Sequence, residues 1–216
     1  MCKLLSKQRR PVAGRLFQEG KMKVELLDST VDPLYVISTC ARTCYNSRSK
    51  DVLGGRETFV KGLIKSGHTS VLENAIATFD IKGISRVCQN QIVRHRIGCS
   101  YCVESMRYVD VSKRDCVVPY TLRSVDDGAD DYVKTLKKYY NSLVRSGVPK
   151  EDARMLLPLG MACNMTMTMN FRALRHFLKL RLSKKAQWEV RYLAKEILAI
   201  CQERWPWLVE DIAEQQ

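Results

Sequence analysis

The chain has 216 residues, 45% hydrophobic and 27% charged, with a formal net charge of +13. That balance excludes a disordered chain, and the length suits one domain with a substantial core. No apolar run reaches the roughly 20 residues that a membrane helix needs, and the basic start of the chain has neither the apolar stretch nor the cleavage site of a secretory signal.

Residues 1–21 show no periodicity and read as a flexible, solvated basic extension, with Lys3, Lys7, Arg9, Arg10 and Arg15 against a single Glu19. The ordered domain, 22–216, opens with a strand in the segment MKVELLD. Asp32-Pro33 places an N-cap and a first-turn proline before a helix carrying Leu34, Ile37 and Ala41. A second helix is expected over 56–65, stopped by Ser66-Gly67. Ala75, Ala77, Phe79 and Ile81 alternate, so 72–81 reads as a strand, broken by Gly83. The segment 85–94 reads as a helix with Val87, Gln91 and Arg94 along one side. By contrast, 97–108 fits neither period and reads as a loop flanked by arginines, a favourable place for a site.

A long helix follows over 128–147, then a short one over 150–157 behind Pro149. Met165, Met167 and Met169 alternate with threonines, which is a methionine-faced strand rather than a copper site. Two amphipathic helices, 171–181 and 185–204, complete the chain, the second ended by Trp205-Pro206-Trp207. No internal repeat or linker divides the sequence.

Nine cysteines cannot all pair within one chain. Reduced thiols in a cytoplasmic setting are expected, most of them in the core. Cys99 and Cys102 have a zinc-knuckle gap, but no second tight pair stands at a suitable distance, so no metal site is expected.

The positive charge calls for an anionic partner. A nucleic-acid reading draws only on net charge, since aromatics are 8% and no zinc-finger or RNA-binding fingerprint is present. A phosphorylated small ligand fits better. Arg94-His95-Arg96 and Arg107 put four potential anion-binding groups into a short stretch, and guanidinium groups grip phosphate through paired hydrogen bonds. A second basic set comprises Arg154, Arg172, Arg175, His176 and Arg181; on a helix, Arg172 and His176 share a face. Ser105 has no Ser-His-acid arrangement around it that would make it a nucleophile.

These segments together resemble the flavin-dependent thymidylate synthases. That family's signature is Arg-His-Arg, seven residues and Ser, continued by a residue and Arg-Tyr. Here eight residues separate Arg94-His95-Arg96 from Ser105-Met106-Arg107-Tyr108. Gly67-His68-Thr69-Ser70 with Glu73, Gln91 three before Arg94, Ala153-Arg154 with Leu157-Pro158, and Asn170-x-Arg172-x-Leu174-x-His176-Phe177 with Leu180-Arg181 follow the family's other segments in order.

The resemblance implies an α+β single domain, mainly an antiparallel sheet flanked by helices, assembled as a cytoplasmic homotetramer. It implies conversion of dUMP to dTMP, with methylenetetrahydrofolate as one-carbon donor and NADPH as reductant through FAD. FAD contacts are then expected from Ser70, Arg94, His95, Arg96, Glu104, Asn170, Arg172 and His176. Contacts to dUMP are expected from Gln91, Arg94, Glu104, Ser105, Met106, Arg107, Arg154 and Arg181, with Arg107 and Arg154 at the phosphate and Arg181 as the catalytic group beside the uracil ring. A flavin-binding relative without synthase activity is the alternative.

Overall fold

A computed structural model describes residues 22–126 and 128–214. The expected extension over 1–21 lies outside the described residues. In chain order, strand β1 (Lys23–Ser29) leads to helices α1 (Pro33–Cys44) and α2 (Arg56–Lys65), then to β2 (Ile76–Ser85), α3 (Arg86–Ile92) and β3 (Cys99–Val103). Helices α4 (Tyr120–Arg123), α5 (Ala129–Arg145) and α6 (Lys150–Ala153) precede β4 (Ala162–Asn170). The chain then runs through α7 (Phe171–Arg181), α8 (Trp188–Arg204) and α9 (Pro206–Ala213).

The four strands form one sheet in the order β1-β2-β4-β3, every neighbouring pair antiparallel. Only one face of it is dry. Ala77, Phe79 and Ile81 of β2 and Met165, Met167 and Met169 of β4 are buried, while Thr78, Asp80, Thr166 and Thr168 are only partly covered. That alternation is what an antiparallel sheet covered on one side requires. The core on the dry face draws Ile37 from α1, Val60 from α2, Leu174, Phe177 and Leu178 from α7, Leu193 and Ile197 from α8 and Leu208 from α9. A smaller cluster of Val111, Tyr140, Ala153, Leu157 and Met161 holds α5 and α6 to the rest.

The structure departs from expectation in four places. Residues 69–74 form a 3-10 turn rather than strand, so β2 starts at Ile76. Gly83 does not break that strand. Its positive φ of 74° makes a bulge, the register against β4 shifts between Ile81 and Ile84, and pairing resumes to Ser85. The expected loop 97–108 contains β3, which pairs Cys99 through Val103 with Met169 through Met165. Trp205-Pro206-Trp207 ends α8 but also starts α9, because Pro206 sits at a first-turn position where its missing N–H costs nothing. The thiols are also less buried than expected: among the described residues Cys88, Cys163 and Cys201 are buried, whereas Cys44 and Cys102 are exposed and the others lie between.

Candidate functional site: a His–Arg pair and two clefts

The site is built around the two ends of α3. At its start, Ser85 is the N-cap: its hydroxyl accepts the Cys88 N–H at 3.0 Å. The buried Glu189 carboxylate of α8 accepts the Ser85 N–H at 2.7 Å and the Ser85 hydroxyl at 2.5 Å. At the other end, the His95 N–H returns to the Ile92 carbonyl at 3.0 Å, and the chain turns through Arg94-His95-Arg96. Gly98 closes that turn with φ of 70°, and its carbonyl accepts the Asn170 N–H at 2.9 Å. A Cβ at Gly98 would collide with the Asn170 side chain, so glycine is required on two counts.

Arg181, at the end of α7, reaches back to this turn. Its Nε donates to His95 Nε2 at 2.9 Å, and Nη2 donates to the Gln91 carbonyl at 3.0 Å. Arginine can only donate, so Nε2 of His95 holds a lone pair and a neutral ring carries its proton on Nδ1. The neutral form is favoured: burial, then the Arg181 and His176 charges, lower the His95 pKa from 6.5 to about 4. The ring also packs edge-on against Phe177, with centroids 5.2 Å apart, and against His176 at 6.0 Å. Of the five N–H groups of Arg181, two are taken, leaving three for a ligand.

A cleft of about 540 Å³ is lined by Arg86, Glu104, Ser105, Met106 and Arg154, among others. Arg86 Nη2 donates to the Glu104 carbonyl at 2.6 Å, while its Nε is buried without a partner. Both Glu104 carboxylate oxygens are held by Arg114, at 2.9 and 2.7 Å. The exposed Arg107 does not line this cleft; it pairs with Glu151 at 2.6 Å, whose carbonyl accepts from Arg154 Nε at 3.1 Å. A larger cleft, about 770 Å³, is lined by Lys61, Lys65, Thr69, Arg172, His176 and Lys179 with Glu210 and Asp211 opposing them. Arg172 is ion-paired with Glu73 at 2.6 Å.

One chain therefore unites Gln91, His95, His176 and Arg181, and separately Glu104, Ser105, Met106 and Arg154. It does not bring Ser70, which is exposed, or Arg107 into either group. Arg94 and Arg96 are exposed and have no hydrogen-bond or ion-pair partner among the described residues. Asn170 is occupied as the N-cap of α7, its Oδ1 accepting from Ala173 at 2.8 Å. Sequence reasoning missed Arg86 and Arg114. Arg86 follows directly from recognising Ser85 as a cap, whereas nothing in the unpatterned 109–127 stretch singles out Arg114.

The fold and the site define a class: an α+β domain whose helix ends gather arginines around a neutral histidine, suited to binding anionic ligands. The family model described as "Thymidylate synthase complementing protein" matches residues 25–207. A flavin-dependent thymidylate synthase of Geobacter sulfurreducens is 40% identical over 192 residues, covering 83% of this chain and 82% of that protein. One from Thermococcus onnurineus is 36% identical over 190 residues, covering 82% and 77%. Among solved structures, Thymidylate Synthase X from Helicobacter pylori with FAD and dUMP superposes with a TM-score of 0.69 at 25% identity, covering 82% of this chain and 91% of that one. The chain belongs to the flavin-dependent thymidylate synthase family of enzymes.

Proposed function

We propose that the two clefts and the His95–Arg181 pair form the flavin and nucleotide site of an enzyme that methylates dUMP to dTMP. Methylenetetrahydrofolate supplies the carbon and NADPH the reducing equivalents. When bound, FAD supplies the redox capacity. All these ligands are anionic, which matches the surplus of arginine and lysine. The donor set fits the flavin dinucleotide in particular: Arg94 and Arg96 beside His95 are cations without a partner among the described residues, and Arg172 and His176 line the larger cleft. With Ser70, Glu104 and Asn170 these residues are assigned to FAD. Asn170 also serves by capping α7, and Glu104 by its clasp with Arg114.

Gln91, Arg94, Glu104, Ser105, Met106, Arg107, Arg154 and Arg181 are assigned to dUMP. Arg154 and Arg107 are assigned to its phosphate, Arg107 from outside the cleft that this chain forms, and the Nε of Arg86, unpartnered among the described residues, adds a cation beside Arg154. Ser105 is a hydrogen-bonding contact, with no base beside it to make it a nucleophile. Arg181 directs its three remaining N–H groups at the uracil, where negative charge develops. Such fixed donors stabilise that charge far more in a site that excludes water than in solution. The His95–Arg181 hydrogen bond carries this reading, because it fixes the orientation of the catalytic guanidinium.

The assembly is read as a homotetramer with sites shared between subunits. Support comes from the exposure of Ser70, Arg94, Arg96 and Arg172 on a single chain. A cytoplasmic location is supported by free thiols at all eight described cysteines. Among the described residues no helix is long and apolar enough to cross a membrane, and no His, Cys, Asp or Glu group could hold a metal ion.

The test is the visible spectrum of protein incubated with FAD and desalted, before and after dUMP, followed by a dTMP assay. A retained flavin band that shifts with dUMP, and dTMP formation, are expected. No retained flavin overturns the reading. A shifted band without dTMP in the presence of folate donor and NADPH assigns the chain to flavin-binding relatives that lack synthase activity.

A further inference from the structure

We infer that Tyr101 is a positioning residue for the His95–Arg181 pair, acting through the backbone that carries His95. This rests on the functional reading above. Tyr101 sits in the middle of β3, opposite Met167. Its hydroxyl lies 2.6 Å from the His95 carbonyl and 3.0 Å from the Ile92 carbonyl. One hydroxyl has one proton, so that proton is shared between two carbonyls at the end of α3. Burial raises the Tyr101 pKa above its ordinary range, so the hydroxyl stays a donor at every working pH.

Helix α3 has only seven residues, too few to hold its own last turn in place. Arg94 and Arg96, on either side of His95, are exposed and have no hydrogen-bond or ion-pair partner among the described residues. Beyond its own His95 N–H to Ile92 bond and the packing of the His95 ring on Phe177, the turn is tied to other elements by Arg181 on the His95 ring and the Gln91 carbonyl, the Gly98 carbonyl on the Asn170 N–H, and the Tyr101 hydroxyl on the His95 carbonyl. The Arg181 tie cannot position Arg181 unless His95 is itself fixed. Of the other two, only Tyr101 bonds to His95 itself; it anchors the backbone of a residue whose N–H meets the Ile92 carbonyl and whose ring packs on Phe177. The sheet thus sets the orientation of the imidazole, and the imidazole sets that of the guanidinium.

Tyr101→Phe removes the one oxygen and keeps the ring and its strand preference. Thr78→Val is the comparison. It removes a hydroxyl that lies 2.9 Å from Thr168 Oγ1 in the same sheet, away from α3. Both variants are measured as the full-length, FAD-saturated enzyme. Losing a hydrogen bond and leaving the part-buried His95 carbonyl unmet corresponds to about a tenfold effect. Tyr101→Phe is expected to lower kcat about tenfold while the KM for dUMP, whose phosphate is held in the other cleft, stays within about twofold. Thr78→Val is expected to keep kcat within about twofold at a similar loss of Tm.

An unimpaired kcat in Tyr101→Phe beside an active wild type overturns the inference alone. So does an equal loss of kcat in Thr78→Val, which would make the effect general loosening of the sheet, and so does a loss that appears only in KM. Wild-type protein that makes no dTMP overturns the functional reading itself.

Discussion

In the proposed site Arg181 serves two purposes at once: two of its N–H groups organise the protein, and three are left for a ligand. Replacing it with alanine removes a donor aimed at developing charge, worth roughly 10²–10³ in rate. Arg181→Ala is expected to lose at least that much dTMP formation while FAD stays bound after desalting. Full turnover in the variant would remove the role. His95 gives a second prediction, from its titration. Its folded pKa of about 4 lies below its ordinary 6.5, so between those values the unfolded chain binds more protons than the folded one. Stability therefore rises with pH across that window and is lost as the pH falls from 6.5 toward 4. Glutamine at position 95 can accept from Arg181 without titrating, so His95→Gln should flatten the Tm profile there. Parallel profiles for variant and wild type would show that His95 is not the group responsible. The motif made both residues visible in the sequence. Their contact was not: they are 86 positions apart, and no periodicity joins the end of a short helix to the end of another.

Among the elements, those with a strong period were legible, because burial on one face writes that period into the chain. Phe171–Arg181 lies where the sequence placed it, and β4 keeps its methionine face. Strand β3 was hidden because it is an edge strand of small and polar residues, whose alternation survives only as half-buried Cys99, Tyr101 and Val103. Helix α9 was hidden because proline stops one helix and starts another with equal ease. The junction of elements at Gly98 can be tested by comparing two glycines. Gly98 and Gly67 both have positive φ, at 70° and 81°, but a Cβ at Gly67 meets nothing within 4 Å. Alanine at Gly67 bears only the dihedral cost, about 1–2 kcal/mol. Gly98→Ala adds a collision with Asn170, which caps α7, and a lost cap costs about 1 kcal/mol more. Gly98→Ala should therefore melt several degrees below Gly67→Ala and release FAD faster. Equal Tm values would mean that Asn170 can move aside freely.

At the scale of the molecule, the net charge of +13 divides between residues 21–216 and the first twenty residues. The family match begins at residue 25, and β1 begins at Lys23. Every residue assigned to FAD or dUMP lies beyond both points, so the basic residues from Lys3 to Arg15 add charge to the protein without belonging to the site as assigned. The homotetramer proposed above is not legible in the sequence of one chain, since residues that meet across subunits would carry no spacing relation to each other. Both points bear on one experiment. The full-length protein should show a mass near four times 24.8 kDa in solution. A chain lacking residues 2–20 should remain tetrameric and turn over dUMP within about twofold of it, since the long-range attraction of a few exposed charges is largely screened at physiological salt. A truncated tetramer that folds and binds FAD but makes no dTMP would place the basic segment in the site, because assembly and cofactor binding would both have survived its removal.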